Sequence, residues 1–107
     1  VMNLEVFESS LQEAAPPAGL APALLGLWHQ GRGDWQRAHE AVQAHEGEPA
    51  ADWVHAHLHR VEGDLGNAGY WYRRAGRAVA SGDLRAEWRD IAAALLRQGG
   101  GAQSGDS

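Results

Sequence analysis

The stretch GDWQRA at residues 33–38 recurs, 30 residues later, as GDLGNA at residues 63–68. In each copy the glycine permits the left-handed backbone that reverses the chain after a helix. The aspartate that follows is suited to cap the next helix, because its carboxylate accepts hydrogen bonds from the first N–H groups of that helix. Apolar residues at helical spacing flank both copies. The pattern predicts two helical hairpins, at about 20–45 and 50–77, that stack on each other.

A further helix is expected on each side of the two hairpins. Before them, the apolar residues from Leu4 to Leu11 share one helical face, and the proline pair that starts at Pro16 ends this helix. After them, a helix is predicted from Leu84 to about Arg97. Both helices would cap the ends of the stack, since two hairpins alone bury too little apolar surface for stability.

The chain has 107 residues, enough for one domain but too few for two independent cores. No segment alternates apolar and polar residues as a strand does, and β-branched residues are scarce, with no Thr and one Ile. We therefore predict a single all-α domain of about six helices over 1–98. Residues 99–107, rich in Gly and Ser, are predicted to form a flexible tail.

The composition excludes several classes of protein. The absence of cysteine means no disulfide, no thiol nucleophile and no cysteine-ligated metal. A formal charge of −5 disfavours general nucleic-acid binding, and no apolar run reaches the roughly 18 residues of a membrane span. No signal-peptide pattern opens the chain. The expected setting is the cytoplasm, with neither nucleic acid nor membrane as a partner.

The two hairpins resemble the tetratricopeptide repeat, whose signature places a small residue in the first helix and a Gly-Asp-bulky-x-x-Ala turn before the second. The spacing of 30 residues is shorter than the usual ~34, and the closing proline is missing. The resemblance implies a stack whose first helices line a concave binding groove. The passage from His55 to Arg77 also resembles a family of uncharacterised bacterial and fungal proteins, which implies no activity. The residues that carry the repeat are Gly26, Gly33, Asp34, Trp35 and Ala38, then Ala56, Gly63, Asp64, Leu65, Ala68, Tyr72 and Ala75.

The implied groove places three side chains of the second hairpin within reach of a ligand. Trp53, His57 and Arg60 lie on one stripe of its first helix, at i, i+4 and i+7. An aromatic ring, an imidazole and a guanidinium together suit an acidic protein segment or a small anionic ligand. The Lys and Asn carboxylate clamp of peptide-binding repeat proteins is not present in this sequence.

A second candidate surface is basic. Arg73, Arg74 and Arg77 follow the aromatic run 70–72, and the chain from residue 65 onwards holds six Arg against four acids, whereas the part before it holds three against ten. The arginines could bind an anion through charge-assisted hydrogen bonds and cation–π contacts. The alternative is that they pair with neighbouring acids while the aromatic rings fill the core.

Histidines form the third candidate site. His55 and His59 are one helical turn apart on the same face, and His29 holds the position equivalent to His59 in the first copy. Such a set can bind a divalent metal, and with Glu62 nearby it could serve a metal-dependent hydrolase. The motif is incomplete, because no H-E-x-x-H base follows His55. The alternative is that the three imidazoles are buried and hydrogen-bonded across helices.

The leading hypothesis is a small helical binding module that uses no cofactor and performs no covalent chemistry, so no catalytic residue is assigned. Its partner would be a protein segment, a second copy of the chain in a homodimer, or a small anionic ligand. The alternative hypothesis is a histidine-based metalloprotein or hydrolase with a divalent metal. The sequence has no phosphate-binding loop, dinucleotide-binding glycine pattern or nucleophile elbow.

Overall fold

The computed structural model describes residues 2–105, and the side chains of residues 2–98. In this part of the chain six α-helices follow one another without a strand, which confirms the all-α class. None of these helices combines the length and the apolar character that crossing a bilayer requires. In chain order the helices are α1 (Leu4–Ser10), α2 (Pro22–Gly31), α3 (Trp35–Gln43), α4 (Pro49–Val61), α5 (Leu65–Ala75) and α6 (Leu84–Gly105).

Both hairpin turns form as the repeated stretch predicts. Gly33 and Gly63 have φ angles of +82° and +87°, in the left-handed region that glycine adopts without steric cost. Asp34 and Asp64 each accept a hydrogen bond from the backbone N–H three residues later, at 3.1 and 3.2 Å. Helices α2 and α3 therefore form one hairpin, and α4 and α5 form the other.

Small residues let the two helices of each hairpin approach closely. A Cβ atom on Gly26 of α2 would lie 2.8 Å from Cγ1 of Val42 on α3, closer than two carbon atoms pack. Ala38 of α3 is fully buried, and Ala56 and Ala68 hold the equivalent buried positions in the second hairpin. The small residues that carry the repeat pattern are thus contact residues between paired helices.

The flanking helices α1 and α6 complete the larger of two hydrophobic cores. Phe7 of α1 stacks on Trp88 of α6 with ring centroids 5.6 Å apart. The Trp88 indole donates to the Leu27 carbonyl oxygen at 2.8 Å, and the Trp28 indole donates to Ser10 Oγ at 3.1 Å. The end helices therefore cover apolar surface of the first hairpin, and each makes a buried hydrogen bond to it.

Helices α5 and α6 end elsewhere than the sequence predicts. Gly76, with a φ angle of +72°, ends α5, so Arg77 lies outside the helix. The backbone of α6 stays helical to Gly105 and enters the segment 99–107 that is predicted to be a flexible tail. Glycine weakens a helix but keeps its N–H donor, so the hydrogen-bond ladder continues through it. The side chains of this segment lie outside the described residues.

Candidate functional site

Three imidazole rings from the two hairpins meet at one point. His39 lies on α3, and His55 and His59 lie one turn apart on α4. Nε2 of His39 is 3.0 Å from Nε2 of His55, and one ring nitrogen from each of the three residues lies within 4.8 Å of the others. His55 and His59 are buried whereas His39 is half-buried, so the cluster is open to solvent on the His39 side.

Trp35 holds two of these rings in place. Its indole N–H donates to the backbone oxygen of Leu58 at 2.7 Å, which ties the start of α3 to α4. Its ring stacks on that of His39, one turn further along α3, with centroids 4.8 Å apart and an interplanar angle of 9°. The same indole meets His59 edge-on at 6.0 Å. Both imidazoles therefore have an aromatic support that limits their rotation.

Trp71 of α5 forms a second aromatic wall. It stacks on His55 with a centroid distance of 3.8 Å and an interplanar angle of 14°. The guanidinium of Arg74 lies 4.9 Å from the Trp71 ring centroid, and its Nη1 donates to the Tyr70 hydroxyl at 3.2 Å. The cluster is thus walled by indole rings, with a guanidinium beside one of them.

A carboxylate orients the third imidazole. Glu62 Oε1 lies 2.6 Å from His59 Nδ1. An ionised carboxylate can only accept, so Nδ1 of His59 carries the proton of this hydrogen bond, and in the neutral form of the ring the lone pair is on Nε2. That Nε2 lies 3.4 Å from the side-chain nitrogen of Asn67, at the outer edge of hydrogen-bonding distance. This carboxylate–histidine pair is the arrangement that supports metal-ligating histidines.

The imidazoles of His55 and His39 are held neutral. Desolvation by burial, reinforced by His39, His59 and then Arg74, lowers the pKa of His55 from 6.5 to about 3. Burial also lowers the pKa of His39, with His59 as the next cause. A neutral imidazole has a lone pair, which is the form that binds a metal ion.

One nitrogen of His55 is left without a partner. Nδ1 of this ring is buried and makes no hydrogen bond with any described residue. A buried polar atom in this state costs about 1–3 kcal/mol. The orphaned Nδ1 belongs to the same ring whose Nε2 faces His39.

The arrangement fits a transition-metal cation. Nitrogen ligands bound tetrahedrally at about 2.0–2.1 Å lie roughly 3.3 Å from one another. The Nε2 atoms of His39 and His55 are 3.0 Å apart, a hydrogen bond in which one of the two carries the proton. This distance is also close to the separation of two ligands, and the third nitrogen lies within 4.8 Å. Three protein ligands leave one coordination position open for a water molecule or another ligand.

His29 does not join this cluster. It lies near the end of α2, with its ring edge-on to that of Trp28 at a centroid distance of 5.3 Å. His39, which the sequence analysis missed, takes the place predicted for His29. The signal for it was its position one turn after Trp35, on α3, which packs against α4 as α2 does. The metal ligands expected at His55 and His59 are brought together with it.

The groove predicted along α4 is filled by α6. Glu87, in the first turn of α6, accepts hydrogen bonds from His57 Nδ1 and Arg60 Nη1, each at 2.8 Å, and from the Tyr72 hydroxyl. His57 is 1% exposed and the Arg60 side chain 11%, so neither faces an open surface. Helical spacing identifies residues that share a stripe, but the helix that covers the stripe is set by tertiary packing.

This network is a buried ionic contact. Burial by itself would raise the pKa of Glu87, but the hydrogen bonds from His57, Tyr72 and Arg60 outweigh it and hold that pKa below its ordinary value. Burial, and then the bond to Glu87, raises the pKa of Tyr72. The carboxylate therefore stays ionised and fastens α6 to both helices of the second hairpin.

The arginines predicted as an anion site are exposed but lie on separate aromatic supports. Arg74 lies over Trp71, as described above, and Arg77 lies 3.7 Å from the ring centroid of Trp53. Trp53, predicted to line the groove, is half-buried under this guanidinium. Among the described residues Arg73 forms no ion pair within 4.0 Å.

Comparison with known proteins assigns no relative: no family model, no curated protein and no solved structure matches this chain. The function is therefore inferred from the fold class and the histidine cluster alone.

Proposed function

We propose that this protein binds a divalent transition-metal cation through His39, His55 and His59. The observation that carries the proposal is the convergence of three ring nitrogens, from two hairpins, within 4.8 Å of one another. Imidazole is a preferred ligand of Zn²⁺, Cu²⁺ and Ni²⁺, and protein sites with three nitrogen ligands are typical of zinc. The bound cation would join α3 to α4 and so clamp the first hairpin to the second.

Glu62 supports the proposal as a positioning residue. Its hydrogen bond to Nδ1 of His59 selects the tautomer whose Nε2 binds a metal, and it raises the basicity of that nitrogen. Because this carboxylate is occupied by His59, it is not placed as the base of a hydrolytic reaction. The site is therefore proposed as a binding site.

The test uses untagged protein stripped of metal and then titrated with Zn²⁺ in a calorimeter. We expect one cation per chain, and at a free concentration of 100 times Kd a stabilisation of about 2.7 kcal/mol. For a domain of this size that corresponds to a rise in melting temperature of roughly 10–20 °C.

A matched pair of variants makes the test specific to the cluster. His39→Ala removes a ligand that is half-buried, and we expect it to weaken binding by about 100-fold or more. His29→Ala removes a histidine of similar exposure that lies outside the cluster, and it should bind as the wild type does. Equal affinities of the two variants, or no binding by the wild type, would overturn the proposal.

A second candidate function is recognition of an acidic protein segment, which the exposed Arg73 and Arg77 favour. The guanidinium of Arg77 lies over the Trp53 ring, 3.7 Å from its centroid, and a guanidinium supported in this way retains N–H donors for a carboxylate. A fluorescently labelled oligoglutamate peptide provides the test. Binding that is lost at high salt and weakened in Arg77→Met supports this function, whereas salt-independent binding or none contradicts it.

A further inference from the structure

A cavity of about 220 Å³ lies between the ends of α1, α2 and α4 and the start of α6, and none of its lining residues belongs to the histidine cluster. Apart from Gln30 and Arg85 its lining is apolar. An apolar cavity of about 150 Å³ holds a benzene molecule, so this space admits an apolar group of about six carbon atoms or more. The apolar lining residues are Leu11, Gly31, Val61, Leu84 and Trp88.

The wall that Trp88 forms is fixed by contacts within the protein. Its indole donates to the Leu27 oxygen at 2.8 Å, and its ring stacks on that of Phe7. A Cβ atom on Gly31 would lie 2.9 Å from Leu11 Cδ1 and 3.0 Å from Trp88 Cζ2, so the chain is tightly packed behind the cavity. A wall that is already ordered spares a ligand the entropic cost of ordering it.

Two consecutive residues at the start of α6 give the mouth of this cavity an apolar side and a charged side. Leu84 is 38% exposed, so it leaves apolar surface that a ligand can cover. The side chain of Arg85 is 72% exposed, and it also borders an adjoining polar depression. The mouth therefore suits an amphipathic molecule, with its apolar part inside and its polar end at the guanidinium.

Arginines outnumber acids at the adjoining depression. Glu8 is the one acidic residue of its described lining, and its Oε2 is shared between Arg85 Nη2 at 3.3 Å and Arg89 Nε at 3.6 Å. Arg32 also lines the depression, where its Nη1 donates to two backbone oxygens at 2.8 and 2.6 Å. The three guanidinium groups keep N–H donors that these contacts do not use. The polar end that matches this surplus of positive charge is an anion.

We propose that this cavity binds an amphipathic anion, an alkyl chain of about six to eight carbon atoms that ends in a carboxylate or a phosphate. The chain lies in the cavity against Trp88, and the anionic end is held by Arg85 and Arg32. This site is independent of the proposed metal site. Because the whole protein carries a formal charge of −5, preference for an anion would come from these arginines and not from the net charge.

Titration calorimetry of the full chain tests the proposal with sodium octanoate and octyl phosphate. We expect saturable binding of one molecule per chain, and the tighter of the two identifies the anionic group. Sodium acetate, which has no chain, should not bind, and octylammonium should bind about tenfold more weakly or less, since its charge is reversed. Affinity should rise about fourfold with each CH₂ from butanoate until the cavity is full. No saturable binding of either anion, or equal binding of octylammonium, would overturn the proposal.

Two leucines in equivalent positions provide a matched test of where the molecule binds. Leu84 and Leu65 are each the first residue of a helix, after a capping aspartate, and both are exposed. Leu84→Trp fills the mouth of the cavity and should weaken binding by about tenfold or more. Leu65→Trp places the same ring outside the cavity and should leave affinity unchanged. Equal affinities of the two variants would show that the cavity is not the site.

A second pair of variants tests the anionic end. Arg85→Met should weaken binding by about tenfold, the loss of one charge-assisted hydrogen bond, whereas Arg97→Met removes the same charge from an exposed position further along α6 and should have no effect. Equal losses would show an effect of overall charge and refute the role of Arg85. Far-UV circular dichroism shows that the variants are folded.

Nuclear magnetic resonance locates the bound molecule in the wild-type chain. In ¹⁵N-labelled protein the indole N–H signal of Trp88, assigned through Trp88→Phe, should shift in step with saturation by the tighter anion. A Trp88 signal that stays in place while the anion saturates would overturn the proposed site, even if the calorimetric titration is saturable.

Discussion

Replacement of Glu87 by alanine should remove a large share of the stability of this protein. The carboxylate is 8% exposed and accepts hydrogen bonds from three side chains. Alanine would leave the Arg60 guanidinium, 11% exposed, without its counter-charge, and would also leave His57 and Tyr72 without a partner. Breaking a buried ion pair from one side costs about 3–5 kcal/mol. The free energy of unfolding of a whole domain is only roughly 5–15 kcal/mol.

Urea unfolding followed by far-UV circular dichroism measures this loss. Glu87→Gln keeps the shape and an acceptor oxygen, so it should lose about half as much, because neutral hydrogen bonds are roughly half as strong as charged ones. Asp90→Ala is the control, since Asp90 is exposed on the same helix and should change stability by less than about 0.5 kcal/mol.

A small loss in Glu87→Ala would refute the reasoning. If this variant resembled Asp90→Ala, the contacts with His57 and Arg60 would contribute nothing, and the stripe on α4 would again be a candidate ligand surface. The double variant Arg60→Met with Glu87→Leu sharpens the test. It replaces the ion pair by apolar side chains and should recover much of the stability that Glu87→Ala loses.

Three further outcomes follow from the same contacts. Burial lowers the pKa of His55 from 6.5 to about 3, so the contribution of the neutral ring to the free energy of unfolding is complete above pH 6.5 and is lost as pH falls towards 3. In urea titrations the metal-free protein should lose about 2 kcal/mol of unfolding free energy between pH 7 and pH 5, and His55→Gln should reduce this dependence on pH. Gly26→Val should lower the unfolding free energy by about 1–3 kcal/mol or more, because even its Cβ would lie 2.8 Å from Val42 Cγ1, and a shift of less than 1 °C in calorimetry would contradict this close approach. Trp35→Phe removes the N–H that donates to the Leu58 oxygen, so chemical denaturation should show an unfolding free energy lower by about 1 kcal/mol. An unchanged unfolding free energy would contradict the role of this hydrogen bond.

Local features of the fold could be predicted from the sequence. The glycine and aspartate at each hairpin turn act within a few residues, so the pattern that contains Gly33 and Asp34 predicts both the reversal and the cap. The buried small residues are predictable for the same reason, because the spacing along a helix fixes which side chains face its partner. The all-α class follows from these features.

The composition of the candidate site could be predicted only in part. His55 and His59 share a face of one helix, so their proximity is a property of the helix alone. His39 joins them because α3 crosses α4 at one particular height, which Trp35 fixes through a hydrogen bond to Leu58. The spacing of residues along the chain does not predict this contact between α3 and α4, and for that reason His29 was the predicted third ligand.

The sequence pattern also could not predict that α6 covers the polar stripe of α4. His57 and Arg60 form a polar stripe that is typical of a ligand groove, and such a stripe is also what a buried carboxylate requires. The choice between the two depends on where Glu87 lies after the chain has passed the non-helical segment 76–83. That placement is decided by the packing of α6 on α1 and α2.

Two of the five tryptophans turn the histidine cluster into an optical reporter. Trp35 and Trp71 are in ring contact with His39 and His55, whereas Trp88 is buried in the larger core. Indole emission is quenched by a protonated imidazole or a paramagnetic cation in contact with the ring, so the unlabelled protein carries its own signal for what happens at these histidines. Trp28, Trp53 and Trp88 lie outside the cluster, so occupancy by a paramagnetic cation such as Co²⁺ can be followed against their emission in the wild-type chain without adding a probe.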